Sequence, residues 1–359
     1  MASQRARTAG AIMSLAMQKN TGKLLANTVF NMAHLSPATH QPHPLLHAYN
    51  EDFPETNCYA DVIIEIVHAL GLNPIACLGY TLAADFEGDQ WTFGKPSHHD
   101  LALLYGIRIE ELSLYGDLLE QMVTQVKKGV IPLLEADAFH LPDTAGIDYR
   151  TAHVKTTIGI TGIDTARETL FYFHNATFSS LENEDFTGVI KPKASQQLGY
   201  LPPYCEIVKL DKITKHNETS LRQIAFDCAA HHLRKRPNAT PHNPIQRHAT
   251  AMNAHQAAII EGGLTHYHAY TFVALRQLGA AHQLGAHFLR WLDAHNPDFI
   301  AAANAFNQIT TLAKTLVLKL ARVANNKKLA DFDTAFEQMS TQWCIADHHL
   351  QRGFKNARP

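Results

Sequence analysis

Apolar positions recur along this chain with two different periods, and the change from one to the other divides it. From residue 57 to about 70, Val62, Ile63, Ile66, Val67 and Leu70 fall on one side of a 3.6-residue turn, which predicts an amphipathic helix. Thr56 or Asn57 stands where it can cap that helix, and Gly71 where it can end it. Two more helices are expected over 100–105 and 117–128. After Gly129 the texture changes. Residues 130–138, 154–163 and 169–174 are rich in β-branched and aromatic side chains with turn signals between them, and 204–210 adds a further strand. From about Thr219 strand signals vanish. Helical periodicity fills 219–233, 244–260, 269–292, 297–324 and 331–350, with a Pro-rich break from Arg236-Pro237 to Asn243-Pro244. The expected fold class is α+β: a helix led by Cys58 against an antiparallel sheet over 51–215, then an all-α domain over 216–359. Residues 1–50 form an N-terminal extension.

Composition narrows the function classes. Hydrophobic residues at 46% and charged residues at 18% describe a soluble globular chain. A net charge of −2 and a pI near 6.9 give no electrostatic footprint for nucleic acid or an anionic membrane. No apolar run approaches the roughly 18 to 20 residues of a membrane span. The five cysteines, Cys58, Cys77, Cys205, Cys228 and Cys344, are odd in number, widely spaced and free of any CxxC pair, which points to reduced thiols in the cytoplasm. Residues 1–50 hold no acid but carry Arg5, Arg7, Lys19 and Lys23, as organelle transit peptides do; a solvated arm is the preferred reading. The 23 histidines form no HExxH pattern and read as surface usage.

Against that background the candidate chemistry is a thiol. A cysteine at the first turn of a helix faces unpaired backbone N–H groups and the positive end of the dipole, which favour the thiolate. His153 opens one predicted strand and Asn175 ends the next, so hairpin pairing can bring Asn175 beside His153 to orient it. Cys, then His, then Asn is the order of a papain-like nucleophilic site. His174 competes with His153 as the base, but it neighbours Asn175, and adjacent strand residues point to opposite faces. Taken singly, a helix-capping cysteine is more often a small buried hydrophobe, and a strand-end histidine is more often satisfied locally.

The stretch from Cys58 through Phe186 resembles the papain-like cysteine superfamily in its compact bacterial form. It is similar to bacteriocin-processing peptidase domains and to butirosin-type acyltransferases, which move an acyl group from a carrier protein to an amine. The shared outline is the Cys-led helix, Gly129-Val130-Ile131-Pro132, a His-led strand ending in Gly162-Ile163-Asp164, and a strand ending in a polar residue. Almost the whole chain from Asn57 also resembles a bacterial family of unknown function associated with carrier-protein and amino-acid-activating systems. That likeness rests on residues 85–91, 137–143 and 172–175 and on Leu275-Arg276-Gln277-Leu278-Gly279. The chain departs from the protease pattern in having no glutamine a few residues before the cysteine, where an oxyanion donor would stand; Asn57 is the expected substitute.

The resemblance implies a cysteine-dependent acyltransferase that takes an acyl or aminoacyl group from a carrier-protein thioester onto Cys58 and passes it to an amine. Its catalytic residues would be Cys58, His153 and Asn175. The phosphopantetheine arm would enter as substrate, with no cofactor and no metal. Asp85, Glu87, Asp89 and Trp91 share one loop that either binds an ammonium group or is a hydrogen-bonded turn. His140 and Asp143 lie in a segment expected over the site, and Arg276 is a candidate for the arm's phosphate or a substrate carboxylate. A metal cluster of His140, Asp143, Asp148 and His153 lacks tight ligand spacing. The competing readings are a cysteine hydrolase and a non-catalytic partner-binding protein with a papain-like shell.

Overall fold

Asn, Asp, Ser and Pro punctuate this sequence where helices begin, and the computed structural model uses them so. It describes residues 28–30, 35–191 and 201–357; the expected N-terminal extension lies outside them at 1–27 and 31–34. Helix α1 (Cys58–Ala69) opens with the Asn57 side chain accepting the Ala60 N–H. Ser97 caps α2 (His98–Tyr105) and Asp117 caps α3 (Leu118–Lys127), while α4 (Asn183–Ile190) follows Glu182 without a side-chain cap. Asn217 caps α5 (Glu218–Leu233), and Asn243 forms a capping box with Gln246 at α6 (Pro244–Thr271). A π-helical turn (Phe272–Arg276) joins α6 to α7 (Gln277–Leu292). Helices α8 (Pro297–Asn326) and α9 (Asp333–Asn356) complete the set. The expected stop near residue 260 survives as non-helical backbone at Gly263 inside α6.

The middle of the chain builds one sheet from β1 (Thr28–Phe30), β2 (Arg108–Glu111), β3 (Ile131–Asp137), β4 (Lys155–Asp164), β5 (Thr169–His174), β6 (Thr177–Glu182) and β7 (Cys205–Lys209). Their order is β2-β7-β3-β4-β5-β6, with β1 beside β4. The pairs β1–β4, β3–β4, β3–β7, β4–β5 and β5–β6 are antiparallel. Strand β6 and helix α4 were not legible in the sequence, because the apolar residues Phe178 and Leu181 of β6 are three apart and break strand alternation. The β5–β6 turn is Asn175-Ala176, with Asn175 at φ 46°, a left-handed conformation that asparagine tolerates. Ile158, Ile160, Ile163, Leu170 and Tyr172 of the sheet pack with Met122 and Val126 of α3 and Phe186 and Ile190 of α4. The chain is thus α+β with a helical C-terminal region.

Two compact units emerge. One holds the described residues up to His40 and Ile109–Asp211, that is, the sheet with α3 and α4; the other joins Gln41–Arg108 to Lys212–Pro359. Helix α1 therefore groups with the C-terminal helices, although in sequence it lies between β1 and β2 of the sheet. Within the second unit a 3₁₀ segment (Pro74–Ala83), not expected from the sequence, packs on α5 and α7. Among the described residues no helix is long and apolar enough to cross a membrane.

Gly106 ends α2 at φ 69°, and a Cβ there would lie 1.8 Å from the Lys212 carbonyl oxygen. This close approach seats the start of the C-terminal half against α2. Gly106→Ala is expected to cost about 2 kcal/mol or more. A lowered urea midpoint at unchanged slope would show it, and an unchanged midpoint would rule the contact out as a constraint.

Candidate functional site

Cys58 is half-buried at the first position of α1, where its own N–H has no partner within the helix. The segment leading to it is clamped. The Gln283 side chain on α7 accepts the Phe53 N–H at 3.0 Å and donates to the Phe53 carbonyl at 2.9 Å, taking both backbone groups of one residue. Gly279 makes room for the Phe53 ring, since a Cβ there would lie 2.1 Å from it. Lys314 Nζ donates to the Asp52 carbonyl at 2.6 Å. Asn57 is buried as well. Its Nδ2 donates to the Gly94 carbonyl at 2.9 Å and faces the Gln277 Oε1 at 3.4 Å. Gln277 is 4% exposed, and its Nε2 has no hydrogen-bond partner among the described residues. Asn57, the expected oxyanion donor, thus spends its side chain on capping and on Gly94.

Helix α1 is buried all round rather than amphipathic, because Asp61 and Glu65 are as buried as the valines and isoleucines between them. His47 stands between the two acids, with Nδ1 2.6 Å from Glu65 Oε1 and Nε2 3.3 Å from Asp61 Oδ1. Thr56 donates its N–H and its hydroxyl to Asp61 at 2.8 and 2.6 Å, and the His43 N–H donates to Glu65 at 2.9 Å. Burial works to lower the His47 pKa, but the hydrogen bonds and charges of Asp61 and Glu65 overcome it and raise the value to about 9. The ring is an imidazolium at neutral pH.

The loop carrying Asp85, Glu87, Asp89 and Trp91 is a tight turn closed by the Phe86–Trp91 bridge. Asp85 pairs with Arg247, and the buried Trp91 donates its indole N–H to His248 Nδ1 at 3.0 Å. Burial, and then the charge of His255, lower the His248 pKa to about 3, so the neutral ring donates from Nε2 to the Tyr270 hydroxyl at 2.8 Å. Asp85 and Trp91 thereby build the turn, while Glu87 and Asp89 are exposed. The Trp91 N–H also donates to the Val273 carbonyl in the π-helical turn at 3.1 Å. Arg276 lies exposed on that turn, its guanidinium 5.8 Å from the Phe272 ring. Beyond the loop, Lys95 Nζ stands 4.2 Å from the Tyr59 ring, whose hydroxyl meets His98 Nε2 at 2.9 Å.

In the sheet unit the two candidate bases differ sharply. His153 keeps 74% of its side chain exposed, stacks on Phe139 at 4.6 Å, and its Nδ1 lies 2.6 Å from Asp137 Oδ2. A cavity of about 330 Å³ opens beside the pair, bordered by Lys155, Gly188 and Pro203. His174 is 2% exposed and engages both nitrogens, with Asp143 Oδ2 at 2.6 Å and Thr156 Oγ1 at 2.8 Å. The Tyr172 hydroxyl also donates to Asp143. The β4–β5 register, with Gly159 opposite Phe173, runs Asn175 toward Thr157, and the carboxylate in contact with His153 is Asp137. His140 is half-buried, its Nδ1 3.7 Å from Asp185 Oδ1. Among the described residues no group of three or more His, Cys, Asp or Glu side chains is placed to hold a metal ion.

Several of these residues escaped sequence reasoning. Asp137 had a readable signal, since it closes the strand that pairs with the one His153 opens; Gln277 stood in the 275–279 stretch that carries the family likeness but had no role there, and His47 and Gln283 had no signal. The expectation that histidines lie on the surface also fails at His43, His47, His174, His232, His248 and His282, all buried. Two family models match the chain: the DUF1839 N-terminal domain over residues 41–210 and the DUF1839 C-terminal domain over residues 218–352. No curated protein matches it.

The His47 cluster has a definite pH signature. A group raised from 6.5 to about 9 on folding contributes stability that is fully present below about pH 6.5 and lost as pH rises through about 9. Urea midpoints measured from pH 6 to 10 should therefore fall across that window. His47→Gln should remove this component and cost about 3–5 kcal/mol at pH 6.5, because two buried carboxylates lose their counter-charge. A pH dependence identical in wild type and variant would refute the assignment.

Proposed function

This chain belongs to the DUF1839 family, with both domains of that family present, and for it we propose cysteine-dependent acyl transfer on a papain-like plan. In this reading Cys58 takes an acyl or aminoacyl group from the phosphopantetheine thioester of a carrier protein and passes it to an amine. The observation that carries the reading is the position of Cys58: half-buried, first in a capped helix, with its lead-in clamped on one side by Gln283 and on the other by the Thr56–Asp61 hydrogen bonds. The other cysteines are poorer candidates. Burial pushes the thiols of Cys77, Cys205 and Cys228 up to about 12, and Cys344 is exposed near the middle of α9.

The chemistry follows in balanced steps. The Cys58 thiolate attacks the thioester carbonyl, the C–S bond forms, and the π pair moves onto oxygen. Collapse expels the arm's thiolate, which takes up a proton. The amine then attacks the acyl-Cys58, loses a proton and releases the thiolate. Exchange between thioesters is nearly isoenergetic, so loading needs little driving force, and aminolysis of the thioester drives the transfer forward. His153 is the proposed base and acid, and the hydrogen bond that its Nδ1–H donates to Asp137 leaves Nε2 as the proton carrier. Asn175 is the further proposed polar partner of His153. Arg276, exposed one residue before Gln277, is the proposed contact for the arm's phosphate.

Two outcomes are expected of site-mapped labelling. Iodoacetamide should alkylate Cys58 at least about tenfold faster than exposed Cys344 at pH 7, and His153→Ala should slow Cys58 toward the Cys344 rate. With an acyl-loaded carrier protein and an amine, Cys58→Ala should abolish transfer. Full turnover by Cys58→Ala would exclude covalent catalysis. Release of free acid in place of amide would make the enzyme a hydrolase. Alkylation no faster than at Cys344 would leave a partner-binding protein as the better reading.

A further inference from the structure

We propose that Gln277 is the side-chain donor of the oxyanion site at Cys58, binding the carbonyl oxygen of the acyl group together with the Cys58 N–H. The proposal rests on the acyl-transfer reading above and gives an oxyanion role to a residue that the sequence placed only in the 275–279 stretch of family likeness. Two observations meet at this point. Cys58 is the first residue of α1, so its N–H is one of the donors that the helix itself does not satisfy. Independently, Gln277 is 4% exposed and holds a buried N–H₂ group with no partner among the described residues. Its own Oε1 faces Asn57 Nδ2 at 3.4 Å, so the amide lies beside the residue that caps α1.

A buried amide donor left unpaired costs on the order of 1–3 kcal/mol, and a ligand oxygen that accepted from it would remove that cost. The donor is also held still. Gln277 follows directly on the π-helical turn, a feature common at functional sites, and that turn is tied to the Trp91 loop through the Val273 carbonyl. Asn57 cannot serve in its place, because its carbonyl caps α1 at Ala60 and its N–H₂ goes to Gly94. When the thiolate adds to a carbonyl, negative charge grows on the oxygen, and two fixed donors in a partly dry setting stabilise that charge more than they stabilise the neutral carbonyl.

The test separates this role from the nucleophile's. Alkylation by iodoacetamide is a displacement at a CH₂ carbon and forms no oxyanion; acylation by p-nitrophenyl acetate forms one. In the full chain, Gln277→Met should leave the Cys58 alkylation rate within about twofold and lower its acylation rate about 10²- to 10³-fold. Unchanged acylation would overturn the Gln277 assignment while leaving Cys58 as nucleophile. Equal losses in both reactions would overturn it too, making Gln277 a residue that merely positions the thiol. A wild-type Cys58 reacting no faster than Cys344 with either reagent would remove the acyl-transfer reading itself, and this assignment with it.

A measurement on the wild-type chain guards against a variant that does not fold. In protein labelled with ¹⁵N-glutamine, acetaldehyde should add to Cys58 as a hemithioacetal and shift the Gln277 side-chain N–H₂ resonances. A formed adduct with those resonances unmoved would overturn the proposal.

Discussion

Asp61 and Glu65 sit fully out of water on the helix that Cys58 begins, and the charged ring of His47 between them is what permits it. Removing an ionised carboxylate from water costs several kcal/mol even after relaxation, so an unpartnered pair would not fold. Donors from His47, Thr56 and the His43 backbone meet both oxygens of Asp61 and Oε1 of Glu65. Its consequence reaches the site. Thr56 is bonded to Asp61 through both its N–H and its hydroxyl, and that fixes the direction in which the chain enters α1 two residues before Cys58.

Amide side chains perform the matching task on the other side. Gln283 grips both backbone groups of Phe53, Gly279 leaves the space the Phe53 ring occupies, and Asn57 joins the helix cap to Gly94. These contacts depend on where side chains leave α7, and the π-helical turn ahead of it inserts one residue, rotating all later positions by about 100°. The Trp91 turn locks onto that irregular backbone by a main-chain bond and onto α6 through the neutral His248. An uncommon helical turn and a buried aromatic loop thus act together to set the direction of Gln277.

The histidines show how environment assigns chemistry to one residue type. His47 is charged because two acids surround it; His248 and His282 are neutral because burial lowers both to about 3. His174 is spent as a bridge between Asp143 and Thr156, while His153, bonded to Asp137 through Nδ1, keeps most of its side chain exposed. Proton transfer at a surface needs a ring that is oriented yet free at one nitrogen, and among these His153 has that form.

Much of this architecture was legible in the chain itself. Local chemistry determined the helix starts at Asn57, Asn217, Asn243 and Asn296, the strands over 130–138, 154–163 and 169–174, and the placement of Cys58 at a helix N-terminus, because caps and alternation act within a few residues. The same local view made α1 amphipathic, histidines superficial and Asn57 an oxyanion donor, since a side chain's partner 18 or 220 residues away leaves no trace in spacing. Only the tertiary structure decided that Glu65 meets His47, that Asp137 contacts His153, and that Gln277 from the far half of the chain stands beside the cap of α1. Charge neutralisation and hydrogen-bond geometry act across space, and their outcome is set when distant segments pack.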